Sequence, residues 1–137
     1  MTVEIARQAL EVINRRMRDR DAAVADLFVP HALLVGSEAN EIAHGSKAIA
    51  ALFAGIHGRD YTVWWDFPLL HSGGDTQRVW LFGEGHAVVE RAGGSNRLPY
   101  RLSAVLVAEG DDWFWELFHG SEPQSQAAPM RPLAAGA

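Results

Sequence analysis

The sequence predicts an α+β fold in which three helices precede most of a curved antiparallel sheet. Up to residue 58 the apolar residues recur at helical spacing, and from residue 61 onwards they alternate with the period of two that strands require. Glycine-containing breaks then divide the second half into four strand-length segments joined by short turns. Helices followed by such strands pack on one face of the sheet, and we expect them on its concave face.

The three helices are predicted from apolar stripes and end signals. The first covers residues 3–18, with one stripe formed by Ile5, Ala9, Ile13 and Met17. The second is shorter, runs from Asp21 as its N-cap through Phe28, and is stopped by the proline at position 30. The third begins with Ser46 as its N-cap and ends at the glycines at positions 55 and 58.

Five strands are predicted from short apolar runs and from aromatic and β-branched residues. A first, short strand, Ala32–Val35, lies between the second and third helices. Four longer strands follow: Tyr61–Leu70, Arg78–Arg91, Arg97–Ala108 and Asp112–His119. Residues 1–123 therefore form one predicted domain, and residues 124–137 form an Ala/Pro-rich C-terminal tail with the composition of a flexible segment.

Composition and charge exclude several classes of function. The formal net charge of −5 argues against binding to nucleic acid, which requires clustered basic residues. There are no cysteines, and the six histidines follow no HxxxH or HxH spacing, so we expect no metal site and no cofactor. No apolar run is long enough to serve as a signal peptide or to cross a membrane, and the predicted location is the cytoplasm.

A family resemblance is carried by three stretches: Gly36-Ser-Glu38 with Glu41-Ile-Ala-His-Gly45 before a helix, Leu98 to Val107, and the end of the last strand, His119-Gly-Ser121-Glu-Pro123. In this order they resemble the nuclear transport factor 2-like superfamily, and within it the SnoaL-like and ketosteroid-isomerase-like branch. The resemblance covers Ile5 to Pro123. It implies a cone-shaped sheet wrapped around the first helix, a pocket between the two, and a homodimer formed through the outer sheet face.

The catalytic groups of ketosteroid isomerases are missing from the positions that this resemblance assigns to them. Those enzymes use a carboxylate base, a tyrosine and a neutral carboxylic acid. Gly36 lies where the base should be, Ser103 lies at the position of the second acid, and the first helix contains no tyrosine. We therefore do not expect this protein to isomerise Δ5-3-ketosteroids.

Two other members of the superfamily suggest pocket residues on the late strands. Limonene-epoxide hydrolases alternate an arginine with an acid along one strand, and here Arg101 is kept while Ser103 replaces the acid. SnoaL-type cyclases place an acid/base residue on a late strand, where this chain has Glu84 with His86, and Glu116 with His119. Strand alternation separates the last pair unless a bulge intervenes. The predicted pocket is lined by Arg101, Ser103, His119, Trp115, Trp80, Glu84 and His86.

Two functional hypotheses from different classes remain open at this point. In the first, the protein binds a small hydrophobic or aromatic ligand that is anionic or carries a carbonyl, with acid/base chemistry as an open question. Arg101 in an apolar pocket would need such a complement. In the second, the chain is a non-catalytic homodimeric adaptor or association module whose aromatic residues simply fill the cone. Tryptophan-rich strands fit both hypotheses, since aromatic side chains fill cores as well as pockets.

Overall fold

A computed structural model describes residues 1–124 of the chain, so the predicted tail from residue 125 onwards lies outside the described residues. Two α-helices, one short 3₁₀ helix and six strands follow one another. In chain order they are α1 (Thr2–Arg18), the 3₁₀ helix (Ala22–Leu27), β1 (Phe28–Val35), β2 (Ile42–His44), α2 (Ser46–His57), β3 (Thr62–Gly74), β4 (Arg78–Arg91), β5 (Gly94–Glu109) and β6 (Asp112–Ser121).

The six strands form one curved sheet in the order β2-β1-β6-β5-β4-β3, which confirms the predicted fold class. The four long strands pair with their sequence neighbours in antiparallel fashion, as their short turns require. The pairing of β1 with β6 is parallel, which departs from the wholly antiparallel sheet that the sequence predicts. The two strands lie far apart in the chain, so no short turn constrains their relative direction.

The helical half differs from the prediction in its details. The second helix is a 3₁₀ helix, and Asp21 caps it as expected, since its Oδ1 accepts a hydrogen bond of 2.9 Å from the backbone of Ala23. The third helix is preceded by Gly45 with φ near +90°, a conformation that favours glycine, so Ser46 is its first residue and not its N-cap. The strand β1 begins earlier than predicted and includes Pro30.

The helix α1 covers one side of the sheet and buries Ala6, Leu10, Ile13 and Met17. Two residues of the predicted stripe, Ile13 and Met17, are thus buried, and the other two are partly buried. Its polar residue Asn14 contacts the backbone of the edge strand β3. The side chain of Asn14 donates a hydrogen bond of 2.7 Å to the carbonyl of Trp65 and accepts one of 2.9 Å from the amide of the same residue. The helix is therefore attached to the sheet by both packing and paired hydrogen bonds.

A β-bulge in β6 changes which side chains face the interior. Val105 of β5 pairs with Leu117, whereas the next residue, Leu106, pairs with Trp115, so Glu116 is an extra residue in β6. Trp115 is consequently buried under the helices, while His119, four residues later, is exposed. An uninterrupted strand would have placed these two side chains on the same face.

Candidate ligand-binding site

A cavity of about 350 Å³ opens between the two α-helices and the concave face of the sheet. Its interior is mainly apolar and aromatic. Trp65 and Phe118 lie in contact there, with ring centroids 5.1 Å apart, and Met17 and Phe53 close the cavity from the helical side. The volume falls within the range of natural small-molecule sites, which also combine apolar walls with few polar groups.

Tyr100 contributes the most deeply buried hydroxyl of the cavity lining. It lies on β5, and its ring is packed between Trp65 and Phe67 at centroid distances of 6.5 and 6.4 Å. Burial, followed by the negative charge of Glu41, raises the pKa of Tyr100 to about 12. The phenol therefore stays protonated at neutral pH and is available as a hydrogen-bond donor. Its hydroxyl lies directly against Gly120, where a Cβ atom would overlap it.

A carboxylate reaches the cavity beside Gly36, the residue at which the resemblance expected a catalytic base. A Cβ atom added to Gly36 would lie only 2.5 Å from Oε1 of Glu41, so the Glu41 side chain occupies the space that a side chain at position 36 would need. The loop holds this carboxylate in place, because Oε1 accepts a hydrogen bond of 3.0 Å from the backbone of Glu38. Both Glu41 and Gly36 line the cavity.

The two groups together define what this arrangement can do chemically. Tyr100 can donate a hydrogen bond to a carbonyl or phenolic oxygen of a bound molecule. Glu41 can accept a hydrogen bond or a proton from the same molecule. A protonated phenol and a carboxylate in one apolar cavity are suited to proton transfer next to a carbonyl group.

The mouth of the cavity carries charges of both signs. Arg59 and Arg91 line it together with Tyr61, and Arg59 donates a hydrogen bond of 2.6 Å to the Tyr61 hydroxyl. Carboxylates line the mouth as well, from Glu38, Glu41 and Glu122. The hydrogen bond to Tyr61, together with the charges of Glu41 and Glu38, raises the pKa of Arg59, which places these acids within electrostatic range of the guanidinium.

The seven residues predicted to line the pocket do not line this cavity. For Arg101 and Ser103 the reason is that the opposite set of β5 residues faces inwards. Tyr100, Leu102 and Ala104 are buried on the concave face, so Arg101 and Ser103 are exposed on the convex face. Arg101 forms an ion pair there with Glu84 at 2.7 Å. The cavity therefore lacks the anchor that the sequence analysis proposed.

The remaining predicted residues divide between the convex face and the core. The bulge at Glu116 turns His119 outwards, where it pairs with Ser103 across the strands. Trp115 is 2% exposed and belongs to the core, whereas Trp80 is half exposed. The other two, Glu84 and His86, alternate with Trp80 on the convex side of β4, since the residues between them face inwards. The structure thus brings several of these residues together, but outside the cavity.

The residues that do line the cavity left a readable signal in only one strand. Along β5 the apolar residues Leu102, Ala104 and Leu106 share one parity with Tyr100, which favours Tyr100 as the inward-facing residue. The position of Glu41 had no such signal, because it depends on the loop that follows β1. Arg59 and Arg91 come from different elements, and only the fold brings them to one rim.

The described residues show no arrangement typical of a metal centre or of a membrane span. Within residues 1–124, no group of three or more histidine, aspartate or glutamate side chains is arranged to hold a metal ion. In the same part of the chain, no helix is both long and apolar enough to span a membrane.

Comparison with known proteins gives matches in structure but not in sequence. No family model matches the chain, and no curated protein sequence matches it significantly. Among solved structures, a Catenulispora acidiphila protein in complex with S-DNPA superposes with a TM-score of 0.77 at 17% identity, over 88% of this chain and 92% of that chain. A protein of the NTF2-like family from Streptomyces avermitilis gives 0.78 at 12% identity, over 90% and 97%.

A third solved structure, ActVI-ORFA from Streptomyces coelicolor, gives a TM-score of 0.74 at 13% identity and covers 88% of this chain and 96% of that one. These similarities extend over nearly the whole length of both partners. The low identities leave the fold as the shared property. The chain therefore has the nuclear transport factor 2-like fold, as its sequence resemblance predicted.

Proposed function

We propose that this protein binds a small, largely apolar, ring-containing molecule with a carbonyl group in the cavity between its helices and its sheet. The single observation that carries this proposal is the cavity itself, which has a volume of about 350 Å³ and a wall of aromatic residues around one buried hydroxyl. That volume accommodates one or two fused rings. Aromatic walls also favour planar ligands, since offset stacking and edge contacts add to the burial of apolar surface.

The carbonyl group of the proposed ligand is matched to Tyr100. The hydroxyl of this residue lines the cavity and stays protonated, so it can donate a hydrogen bond to an acceptor of the ligand. A carbonyl oxygen supplies the acceptor. Glu41 then lies in the same cavity as a group able to take a proton from the ligand, so the proposal includes proton transfer as the chemistry that the site is equipped to support.

The alternative hypothesis is a non-catalytic association module, in which the aromatic residues would fill the cone and leave no cavity. The open cavity gives this hypothesis less support. Association itself is still part of our proposal. The convex face exposes half of the Trp80 side chain, which is apolar surface that a second copy of the chain would cover in a homodimer. We propose this dimer, in the cytoplasm, as the form in which the protein binds its ligand.

The proposed binding can be tested by NMR with 2-acetylnaphthalene as the probe. In ¹⁵N-labelled protein, we expect saturable shifts of the Trp65 indole and of the Gly120 amide. Tyr100→Phe should weaken binding about 2- to 10-fold, the value of one neutral hydrogen bond of about 0.5–1.5 kcal/mol. Val89→Trp, which fills the cavity from β4, should abolish it.

Ser103→Ala is the matched control, because it removes a hydroxyl from the same strand on the convex face. It should leave the affinity unchanged. Shifts confined to convex-face residues, or an affinity for the probe that Val89→Trp does not alter, would contradict the proposed site. Loss of binding in Ser103→Ala with retention in Tyr100→Phe would contradict the role given to Tyr100.

A further inference from the structure

The rim of the cavity contains two arginines that are held close together by one tyrosine. Arg59 precedes β3 and donates a hydrogen bond of 2.6 Å to the Tyr61 hydroxyl. Arg91 ends β4, and its guanidinium carbon lies 4.9 Å from the centre of the Tyr61 ring. The corresponding distance for Arg59 is 5.9 Å. Tyr61 is thus a positioning residue that keeps two cationic groups beside the same opening.

Neither guanidinium forms an ion pair within 4.0 Å with a carboxylate of the described chain, although Glu38 and Glu41 act on Arg59 from a greater distance. Among residues 1–124, five other arginines form ion pairs within 4.0 Å, including Arg97 with Asp66 and Arg101 with Glu84 on the neighbouring strand. No such pair involves Arg59 or Arg91. Three other arginines of this part of the chain, Arg7, Arg15 and Arg20, also form no such ion pair, but they do not line the cavity, whereas Arg59 and Arg91 do.

The mouth of the cavity also carries carboxylates, which affect where a charged ligand can bind. Glu38, Glu41 and Glu122 also line the opening, but none of them contacts either arginine. A ligand with a negative substituent is attracted by Arg59 and Arg91 and repelled by the acids, so its charged end is most stable next to the two arginines.

We propose that Arg59 and Arg91 form an anion-recognition site at the mouth, and that the ligand of this cavity is an aromatic molecule bearing a carboxylate or similar anionic substituent. This inference rests on the proposed function, since it assigns the apolar ring to the interior and the charge to the rim. The preference for a charged ligand over a neutral one of the same shape then comes from these two arginines. Affinity for the ring comes from the interior.

The test compares 2-naphthoate with 2-naphthamide, which share the ring and a carbonyl and differ in charge. Dissociation constants are measured from the Trp65 indole shift at low ionic strength. In the unaltered protein the carboxylate should bind about ten times more tightly than the amide, since hydrogen bonds to charged groups are the stronger ones. This preference should shrink at 0.5 M salt.

Variants assign the preference to its residues. Arg59→Gln and Arg91→Gln should each weaken naphthoate binding about 3-fold or more and leave naphthamide binding unchanged, and the double variant should bind both probes equally. Arg101→Gln is the matched control, because it removes an arginine of the convex face, and it should preserve the preference. The side chains of Arg59, Arg91 and Arg101 are all exposed, so the variants should keep the fold.

The outcomes separate this inference from the proposed function. If naphthamide binds at least as tightly as naphthoate, or if the double variant still prefers naphthoate, the anion site is wrong while the apolar ligand site stands. If neither probe shifts the Trp65 indole, both proposals fail. If the preference is lost in Arg101→Gln and kept in the double variant, the charge is recognised on the convex face and the anion site is again wrong.

Discussion

Replacing Gly120 with alanine tests the packing that positions the Tyr100 hydroxyl. A Cβ atom at position 120 would overlap Oη and Cζ of Tyr100 and would lie 2.7 Å from its Cε1. Trp65 and Phe67 also pack against the ring, with centroid distances of 6.5 and 6.4 Å, so the cavity is the free space into which it can move. Overpacking of this kind costs about 1–3 kcal/mol. We expect Gly120→Ala to lower the free energy of unfolding by that amount and to push the ring into the cavity.

Urea denaturation followed by tryptophan fluorescence measures this loss, and Gly55→Ala supplies the matched control. Gly55 lies inside α2 with no atom within 4 Å of an added Cβ, so alanine there should stabilise the protein by about 0.5–1 kcal/mol. The same substitution is thus expected to lower the free energy of unfolding at position 120 and to raise it at position 55. A Gly120→Ala protein that unfolds at the same urea concentration as the unaltered chain would refute the reasoning.

A double-mutant cycle shows whether Tyr100 is the group that the new methyl meets. Tyr100→Leu removes the hydroxyl and the ring, so adding Gly120→Ala to it should cost much less than in the unaltered chain. Coupling energies of about 0.5–3 kcal/mol are typical for residues in contact. Additive costs would mean that the destabilisation arises elsewhere.

Three further predictions follow from the charges and the loop beside the site. Burial, and next the charge of Arg20, lowers the pKa of His57 below 6.5, so the unfolded chain binds the proton more readily and stability should fall as the pH drops below about 6.5. His57→Phe should flatten this part of a urea–pH profile; an unchanged slope would contradict the assignment. The hydrogen bond from Arg78 lowers the pKa of Glu116 to about 2, so its contribution to stability should be present above pH 4.5 and disappear towards pH 2, and Glu116→Gln should remove that acid-sensitive part. Gly36→Ala should displace the Glu41 carboxylate and so change the number of protons taken up when 2-acetylnaphthalene binds. Calorimetry in buffers of different ionisation enthalpy measures this number. Identical uptake in the variant and the unaltered protein would show that the carboxylate has not moved.

The helices and the sheet were largely predictable, because each depends on a pattern within a short stretch of chain. The buried stripe of α1 and the four long strands follow from periods of 3.6 and 2. The strand β2 was missed because three residues give too little pattern to read. The parallel pairing of β1 with β6 depends on contacts between the two ends of the domain, which no local pattern encodes.

The site was less predictable, because a wrong choice of the inward-facing set of residues reverses the assignment of every side chain of that strand. On β5 the polar residues Arg101 and Ser103 were assigned to the pocket, although the apolar residues between them are the ones that the core requires. On β6 the single extra residue Glu116 separates Trp115 from His119, and a bulge leaves no clear mark in the sequence. The position of the Glu41 carboxylate could not be predicted from the sequence, since the fold of the loop after β1 places it beside Gly36.

The pair of hydrogen bonds between Asn14 and the backbone of Trp65 has a consequence for contact with other chains. An outermost strand presents unpaired amide and carbonyl groups that can template the addition of a foreign strand. The side-chain amide of Asn14 has the same donor and acceptor as a peptide group, so at Trp65 the helix stands in for the missing neighbouring strand. At this position, where β3 borders the cavity, the strand edge is therefore not available for pairing with a strand of another chain.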